Sequence, residues 1–217
     1  MSILLYCVTE KSELPRLGKG VAGLPVLSVE HGEIAGLFSP GTCAEDWKGS
    51  PLKESARQFH QVLHRIFESR AIIPFCFPTL MHETPELARH LETNLLEYVA
   101  QLEKFRTSVQ MDITITQADS ARATRQASGA EYLRERQKQS EELDRVASQL
   151  CTHADSPTRD WRTRPAQHGL KVFALLDRDS VEVFNSSLQQ FRVPPGLGIR
   201  ITGPWPVTAF LELRQVG

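Results

Sequence analysis

Apolar positions along this chain form two kinds of run, short blocks and longer stripes at helical spacing, and their succession lays out the elements. Residues 2–9 (SILLYCVT) read as a strand. LPRLGKGVAGLP, rich in Gly and Pro, reads as a loop. Two short apolar runs, PVLSVEH and EIAGLFS, flank a turn beside Gly32 and predict a hairpin. Ser50-Pro51 then opens a helix, with Ser as N-cap and Pro at the first helical position. Leu52, Ala56, Phe59, Leu63, Ile66 and Phe67 line one face of it, and it should end near Arg70. AIIPFCFP follows as a short strand bracketed by prolines. Thr84-Pro85 opens a single helix whose stripe is Leu87, Leu91, Leu95, Tyr98, Leu102 and Phe105. The first unit, residues 1–106, is thus α+β, in the order β-β-β-α-β-α.

A second unit is expected over residues 107–217. VQMDITIT alternates Val109, Met111, Ile113 and Ile115 with polar residues, the pattern of a half-buried strand. From about Asp119 to Cys151 the chain is charged and helix-prone, a long helix with a thin stripe of Leu133, Leu143, Val146 and Leu150. Gly129 interrupts it at a cost of about 1 kcal/mol against Ala, so a break or bend is expected there. Residues 152–168 (THADSPTRDWRTRPAQH) read as a polar loop. LKVFALLD is a buried strand, Asp179 and Glu182 suggest a capping box, and Val181, Phe184, Leu188 and Phe191 face inward from a helix. Pro194-Pro195-Gly196 ends that helix, and GIRIT starts a strand running into Thr202-Gly203-Pro204-Trp205-Pro206. The order β-α-β-α-β suggests a split βαβ, ferredoxin-like sheet. The fold class is therefore α+β in two domains, each a small, mostly antiparallel sheet with packed helices. The halves share no convincing sequence repeat, although their element orders rhyme.

Composition narrows the classes. Of 217 residues, 41% are hydrophobic and 24% charged, enough to bury a real core. The formal net charge of −1 supplies no bulk attraction to nucleic acid or anionic membrane. The longest nearly apolar runs are about eight to ten residues, short of the ~20 of a membrane helix. MSILLYCVTEKSE has neither a basic n-region nor a small-residue cleavage site, so no secretory signal is read there. Cys7, Cys43, Cys76 and Cys151 are scattered without a CxxC pair, which points to free thiols in a reducing cytoplasm and not to zinc or disulfides.

Candidate chemistry is thin. Gly18 to Gly23 (GKGVAG) matches G-x-G-x-x-G, but KSELPRL precedes it and Leu24-Pro25 follows. No helix can start where a phosphate loop requires one, so a surface loop is the expectation. His60 and His64 stand i, i+4 on a helix, yet HQVLH lacks the Glu of H-E-x-x-H and a third ligand. No G-x-S-x-G or cysteine-protease signature occurs. Glu141 and Glu142 interleave with Arg134, Arg136, Lys138 and Arg145, which reads as ion-pair support on a solvated helix face. Arg159, Arg162 and Arg164 surround Trp161, a basic aromatic segment that Asp155 and Asp160 dilute; a solvated loop with one anchoring Trp is preferred over contact with an anion or RNA. No catalytic residue, metal ligand or cofactor-binding residue is assigned, and no cofactor is expected.

Four segments in order carry a resemblance that spans about Leu4 to Phe210: LLYCVT with its hairpin GLPVLSVEHGEIAGLFS, HQVLHRIFESRAIIPFCFPT, SGAEYLRERQ and TGPWPVTAF. In that order they resemble the gas vesicle protein F/L family (GvpF/GvpL), with TGPWP the most specific. The family motif residues here are Pro74, Phe75 and Phe77, then Gly129, Tyr132 and Leu133, then Thr202, Gly203, Pro204, Trp205 and Pro206. The resemblance implies a fold of two α+β domains, ferredoxin-like in character. It also implies a cytoplasmic, gas-vesicle-associated accessory protein, not an enzyme. The implied partners are the small hydrophobic shell protein and other gas vesicle accessory proteins, with neither nucleic acid nor membrane. Two positions depart from the family pattern: Cys76 replaces a common basic residue between the phenylalanines, and Val207-Thr208 replace a common aromatic after TGPWP.

The alternative reading is a ferredoxin-like module that binds or acts on a small molecule, whose mark would be a pocket of convergent polar groups. A third takes residues 119–151 as a dimerising coiled coil, against which Gln137 and Ser140 stand at core positions. Within TGPWP, Gly203 permits tight backbone geometry and the two prolines end the ladder. Trp205 is expected to pack over the sheet edge or the interdomain seam, a corner rather than a partner contact.

Overall fold

The computed structural model describes residues 2–12, 18–41, 50–117, 129–167 and 169–212. Its first strand, β1 (Ile3–Glu10), is buried along nearly its whole length. That is why ILLYCV is a continuous apolar run and not an alternating one: a central strand covered on both faces needs apolar residues at every position. β1 lies between β3 (Ile34–Pro40) and β4 (Ile72–Met81), both antiparallel, and β2 (Leu27–His31) completes the sheet in the order β2-β3-β1-β4. The β2–β3 turn uses Gly32 at φ 55°. Register passes from Leu5↔Phe38 to Cys7↔Leu37, so Tyr6 is an extra residue that reverses the alternation. Ile3, Leu5 and then Val8 consequently reach one core cluster with Ile34, Phe38, Leu87, Leu91, Tyr98 and Leu102. Tyr6 instead stacks on Phe59 of α1 (Ser50–Phe67), with ring centroids 5.1 Å apart.

The helices of this unit follow their stripes with two adjustments. Phe59, Leu63, Ile66 and Phe67 of α1 are buried, whereas Leu52, one of the expected face residues, is exposed. The single helix expected from Thr84 is two, α2 (Thr84–Thr93) and α3 (Leu95–Lys104). The break falls at Asn94, whose φ of −109° and ψ of 12° leave the helical region. Asn94 and Thr93 turn their side chains back onto the carbonyls of His90 and Arg89, a competition with the helix ladder that favours termination. The N-cap of α2 is Glu83, one residue before the Thr84 start, and its side chain makes no cap bond.

The second unit contains β5 (Ser108–Gln117), α4 (Gly129–His153), β6 (Thr158–Ala166), β7 (Gly169–Asp177), α5 (Val181–Gln189) and β8 (Leu197–Trp205). Its sheet is antiparallel in the order β6-β7-β5-β8. The polar loop expected over residues 152–168 is instead the last turn of α4 followed by β6. Among the described residues β6 is an edge strand paired with β7 alone, so both of its faces carry polar residues and it has no apolar alternation to reveal it. Of the long helix expected over 119–151, α4 accounts for the described part, with Gly129 at its first position; residues 118–128 lie outside the described residues. The capping box does not form: α5 follows a 3-10 turn at Arg178–Ser180, and Ser180 caps it without a side-chain bond.

Numbered within each unit, both sheets have the strand order 2-3-1-4. The second unit has the βαββαβ order of a ferredoxin-like fold; the first replaces its first crossover helix by a loop with a short turn at Val21–Gly23. The chain divides into Met1–Thr107 with Pro206–Gly217, and Ser108–Trp205. The tail after Trp205 therefore joins the first unit, where a second unit running to residue 217 was expected. Val207, Ala209 and Phe210 are buried, Leu211 packs on the first unit's cluster, and the Glu212 amide donates to Gln101 Oε1 on α3.

Candidate functional site

The two proline-bracketed segments, around Pro74 to Pro78 and Pro204 to Pro206, occupy the same place in their two sheets. β4 and β8 are each the edge strand beside the central strand that opens the unit. Between Cys7↔Pro74 and Leu5↔Thr79, β1 has only Tyr6 while β4 has Phe75 to Pro78, so Phe-Cys-Phe-Pro bulges out of the ladder. Between Asp112↔Thr202 and Gln110↔Trp205, β5 has only Met111 while β8 has Gly203 and Pro204. Tyr6 and Met111 are each the fourth residue of their strand. Each bulge contains a cis X-Pro bond, Phe77-Pro78 and Gly203-Pro204. Bulges and prolines on an edge remove ladder donors and twist the strand, which prevents indiscriminate pairing and aims side chains outward.

In the first bulge, the phenylalanines face two directions. Phe77 packs on Phe59 at 5.1 Å between centroids, joining the Tyr6–Phe59 stack. Phe75 lies against the core cluster, 5.9 Å from His90, whose Nε2 is 2.7 Å from the Tyr98 hydroxyl. Burial lowers the His90 pKa, with Glu86 opposing, and burial raises Tyr98 to about 12. Cys76, between the phenylalanines, is exposed, and Thr79 Oγ1 donates to its carbonyl at 2.6 Å.

In the second bulge, Gly203 has a φ of 130°, and a Cβ there would sit 2.8 Å from Met111 Sδ and 2.9 Å from the Gln110 carbonyl oxygen. Only glycine fits. Thr202 and Trp205 follow the face of Asp112 and Gln110, their ladder partners, and Trp205 Nε1 donates to Thr202 Oγ1 at 3.3 Å. The Trp205 residue is 41% exposed, so part of its ring packs on the protein and part meets solvent. Pro204 and Pro206 are half-buried on either side. Of the Gly129, Tyr132 and Leu133 segment expected to matter, at the start of α4, Leu133 is 67% exposed, and the side chains of Gly129 and Tyr132 lie outside the described residues.

The remaining candidates resolve into structural roles. GKGVAG is pinned to the first unit: the Val21 amide donates to the Tyr6 hydroxyl, the Ala22 amide to Gln58, and Arg65 to the Lys19 carbonyl. A Cβ at Gly20 would strike the Tyr6 hydroxyl and come within 2.7 Å of Ser39 Oγ, so its glycine serves packing. His60 stands edge-on to Phe59, and His64 pairs with Glu68 at 3.2 Å. Among the described residues no group of three or more His, Cys, Asp or Glu is arranged to hold a metal ion. Cys7 is buried, which raises its pKa, and partial burial with Asp155 nearby pushes Cys151 up to about 11. Arg159 bonds Asp177 at 2.7 Å, and Trp161 packs toward Phe184 of α5. Of these features, the paired bulges escaped the sequence. Their signal was present as prolines after apolar residues in both edge strands, but register against the central strand is a tertiary fact.

No curated protein matches the chain. Among solved structures, the chain is similar to the gas vesicle protein GvpF from Anabaena sp. PCC7120, at 12% identity and a TM-score of 0.75, covering 98% of this chain and 97% of that one. It is likewise similar to GvpF from Microcystis aeruginosa, at 13% identity and a TM-score of 0.76, covering 98% and 99%. At such identities the likeness establishes the fold of two antiparallel four-stranded sheets with packed helices. Residues 2–212 match the family model described as gas vesicle synthesis protein GvpL/GvpF. With that match spanning both sheets and both proline-bracketed bulges, the chain belongs to the GvpL/GvpF family of gas vesicle synthesis proteins.

Proposed function

We propose that this chain is a non-catalytic assembly protein that binds the small hydrophobic gas vesicle shell subunit, with the TGPWP bulge as one contact. The reading rests on the family match over residues 2–212. What favours the bulge is the exposed Trp205 ring, fixed by its bond to Thr202 and flanked by prolines. A rigid amphipathic ring at a strand end suits a partner with apolar surface, and ordering it costs little entropy. A shell subunit aggregates unless its apolar surface is covered, which is the service such a protein would perform.

Co-expression with the shell protein, followed by pulldown of the tagged chain, tests the reading; the shell protein should be retained, and its absence would sink the proposal. Trp205→Ala should lower stability by only about 1–2 kcal/mol, because much of the ring already meets solvent. The same variant should retain markedly less shell protein. A variant that loses several kcal/mol and keeps full capture would return Trp205 to a corner role.

A further inference from the structure

Helix α5 packs against one face of the second unit's sheet. Met111, Ile113, Val172 and Trp161 point to that face, where Trp161 meets α5. The opposite face carries the intervening residues, and one row across all four strands runs Arg164↔Lys171↔Thr114↔Arg200. The next row runs Arg162↔Phe173↔Asp112↔Thr202. Arg164, Lys171 and Arg200 are exposed, and none has an ion-pair partner among the described residues. Asp112, the carboxylate within these two rows, is engaged by Gln110 Nε2 at 2.7 Å.

Such a row is unfavourable for the isolated fold. Arg164 and Lys171 are directly opposite, and like charges in that relation destabilise a sheet. They come from strands far apart in sequence from Arg200, so the concentration of charge is a product of the topology in a chain whose formal net charge is −1. We propose that this row, Arg164, Lys171 and Arg200, is a docking surface for an acidic segment of a protein partner. Carboxylates would pair with the guanidinium forks and the ammonium, relieving the repulsion as they bind.

An acidic polypeptide fits better than a single-stranded nucleic acid. Nucleic acid needs exposed aromatic faces for base stacking as well as cations. Phe173, the aromatic ring among these cations, is buried, with the Arg164 guanidinium 5.7 Å from its centroid. Trp205 lies two rows away, with its indole N–H turned to Thr202.

The test is fluorescence anisotropy of labelled deca-glutamate and, separately, labelled oligothymidylate of about the same charge, titrated with the full chain. The chain should bind deca-glutamate more tightly than oligothymidylate, and binding should weaken between about 50 and 200 mM salt. The triple variant Arg164→Gln, Lys171→Gln, Arg200→Gln should weaken deca-glutamate binding about tenfold or more, while Lys53→Gln with Arg89→Gln, exposed cations elsewhere, should not. Lys171→Gln should melt at the same or a higher temperature, since it removes a like-charge contact. Absence of deca-glutamate binding at low salt would overturn the proposal. Equal weakening by the control pair, or tighter binding of oligothymidylate, would overturn it as well.

Discussion

At the scale of single residues, backbone geometry makes the sharpest demands. Gly203 sits at φ 130° with a carbonyl oxygen 2.9 Å from where a Cβ would be, so both conformation and space exclude a side chain. Gly203→Ala should cost roughly 2–4 kcal/mol, read as a lowered urea midpoint. Tyr6 is a different case: its buried hydroxyl accepts from the Val21 amide and bonds Ser39. Tyr6→Phe leaves that amide without its partner and should cost about 1–2 kcal/mol by the same measurement. His90 supplies a pH dependence. Burial holds its folded pKa below the ordinary histidine value of about 6.5, so above that pH the ring is neutral in both states and contributes no slope. As pH falls below about 6.5 the unfolded chain binds the proton first, and stability declines until the folded pKa is passed. Urea midpoints at about pH 7.5, 6.5 and 5.5 should show that decline, and His90→Gln should flatten it.

At the scale of elements, the tail after β8 is the segment whose role changed most. Phe210 is almost fully buried, and the segment is fastened to α3 by the Glu212 amide on Gln101 and by Lys104 on the Glu212 carboxylate at 3.3 Å. The ion pair is exposed and adds little; burial of Phe210, and of Leu211 against the first unit's cluster, contributes more. Phe210→Ala should cost roughly 3–5 kcal/mol, seen as a lower melting temperature of the full chain. Lys104→Ala should move it by less than about 1 kcal/mol. The α2–α3 break shows the same competition between local and long-range terms. One apolar stripe continues through both helices, but Thr93 and Asn94 side chains satisfy carbonyls locally and end the first.

At the scale of the whole molecule, two sheets of one strand order each place a bulged, proline-bearing edge strand beside the strand that opens the unit. The arrangement protects those edges from strand addition while leaving side chains such as Trp205 presented. It also explains why both edge strands look alike, an apolar strand interrupted by Pro, without any residue-level repeat between the halves.

Legible along the chain were the continuous apolar runs of β1 and β7, the alternation of β5 and the stripes of α1 and α5, and hence an α+β fold with a ferredoxin-like second unit. A strand buried on both faces is apolar throughout and an element buried on one face carries its own period, so burial is written locally into these residues. TGPWP and the Pro-Phe-Cys-Phe segment were also legible, because each is a contiguous local pattern. Edge strand β6 was not, since a strand with one neighbour and little burial needs no alternation. Nor was the return of the tail, because Val207, Ala209 and Phe210 look equally apolar wherever they are buried. Only the tertiary structure aligned Arg164, Lys171 and Arg200 across the sheet and set the two bulges opposite Tyr6 and Met111. Register joins residues distant in sequence, and no local pattern specifies it.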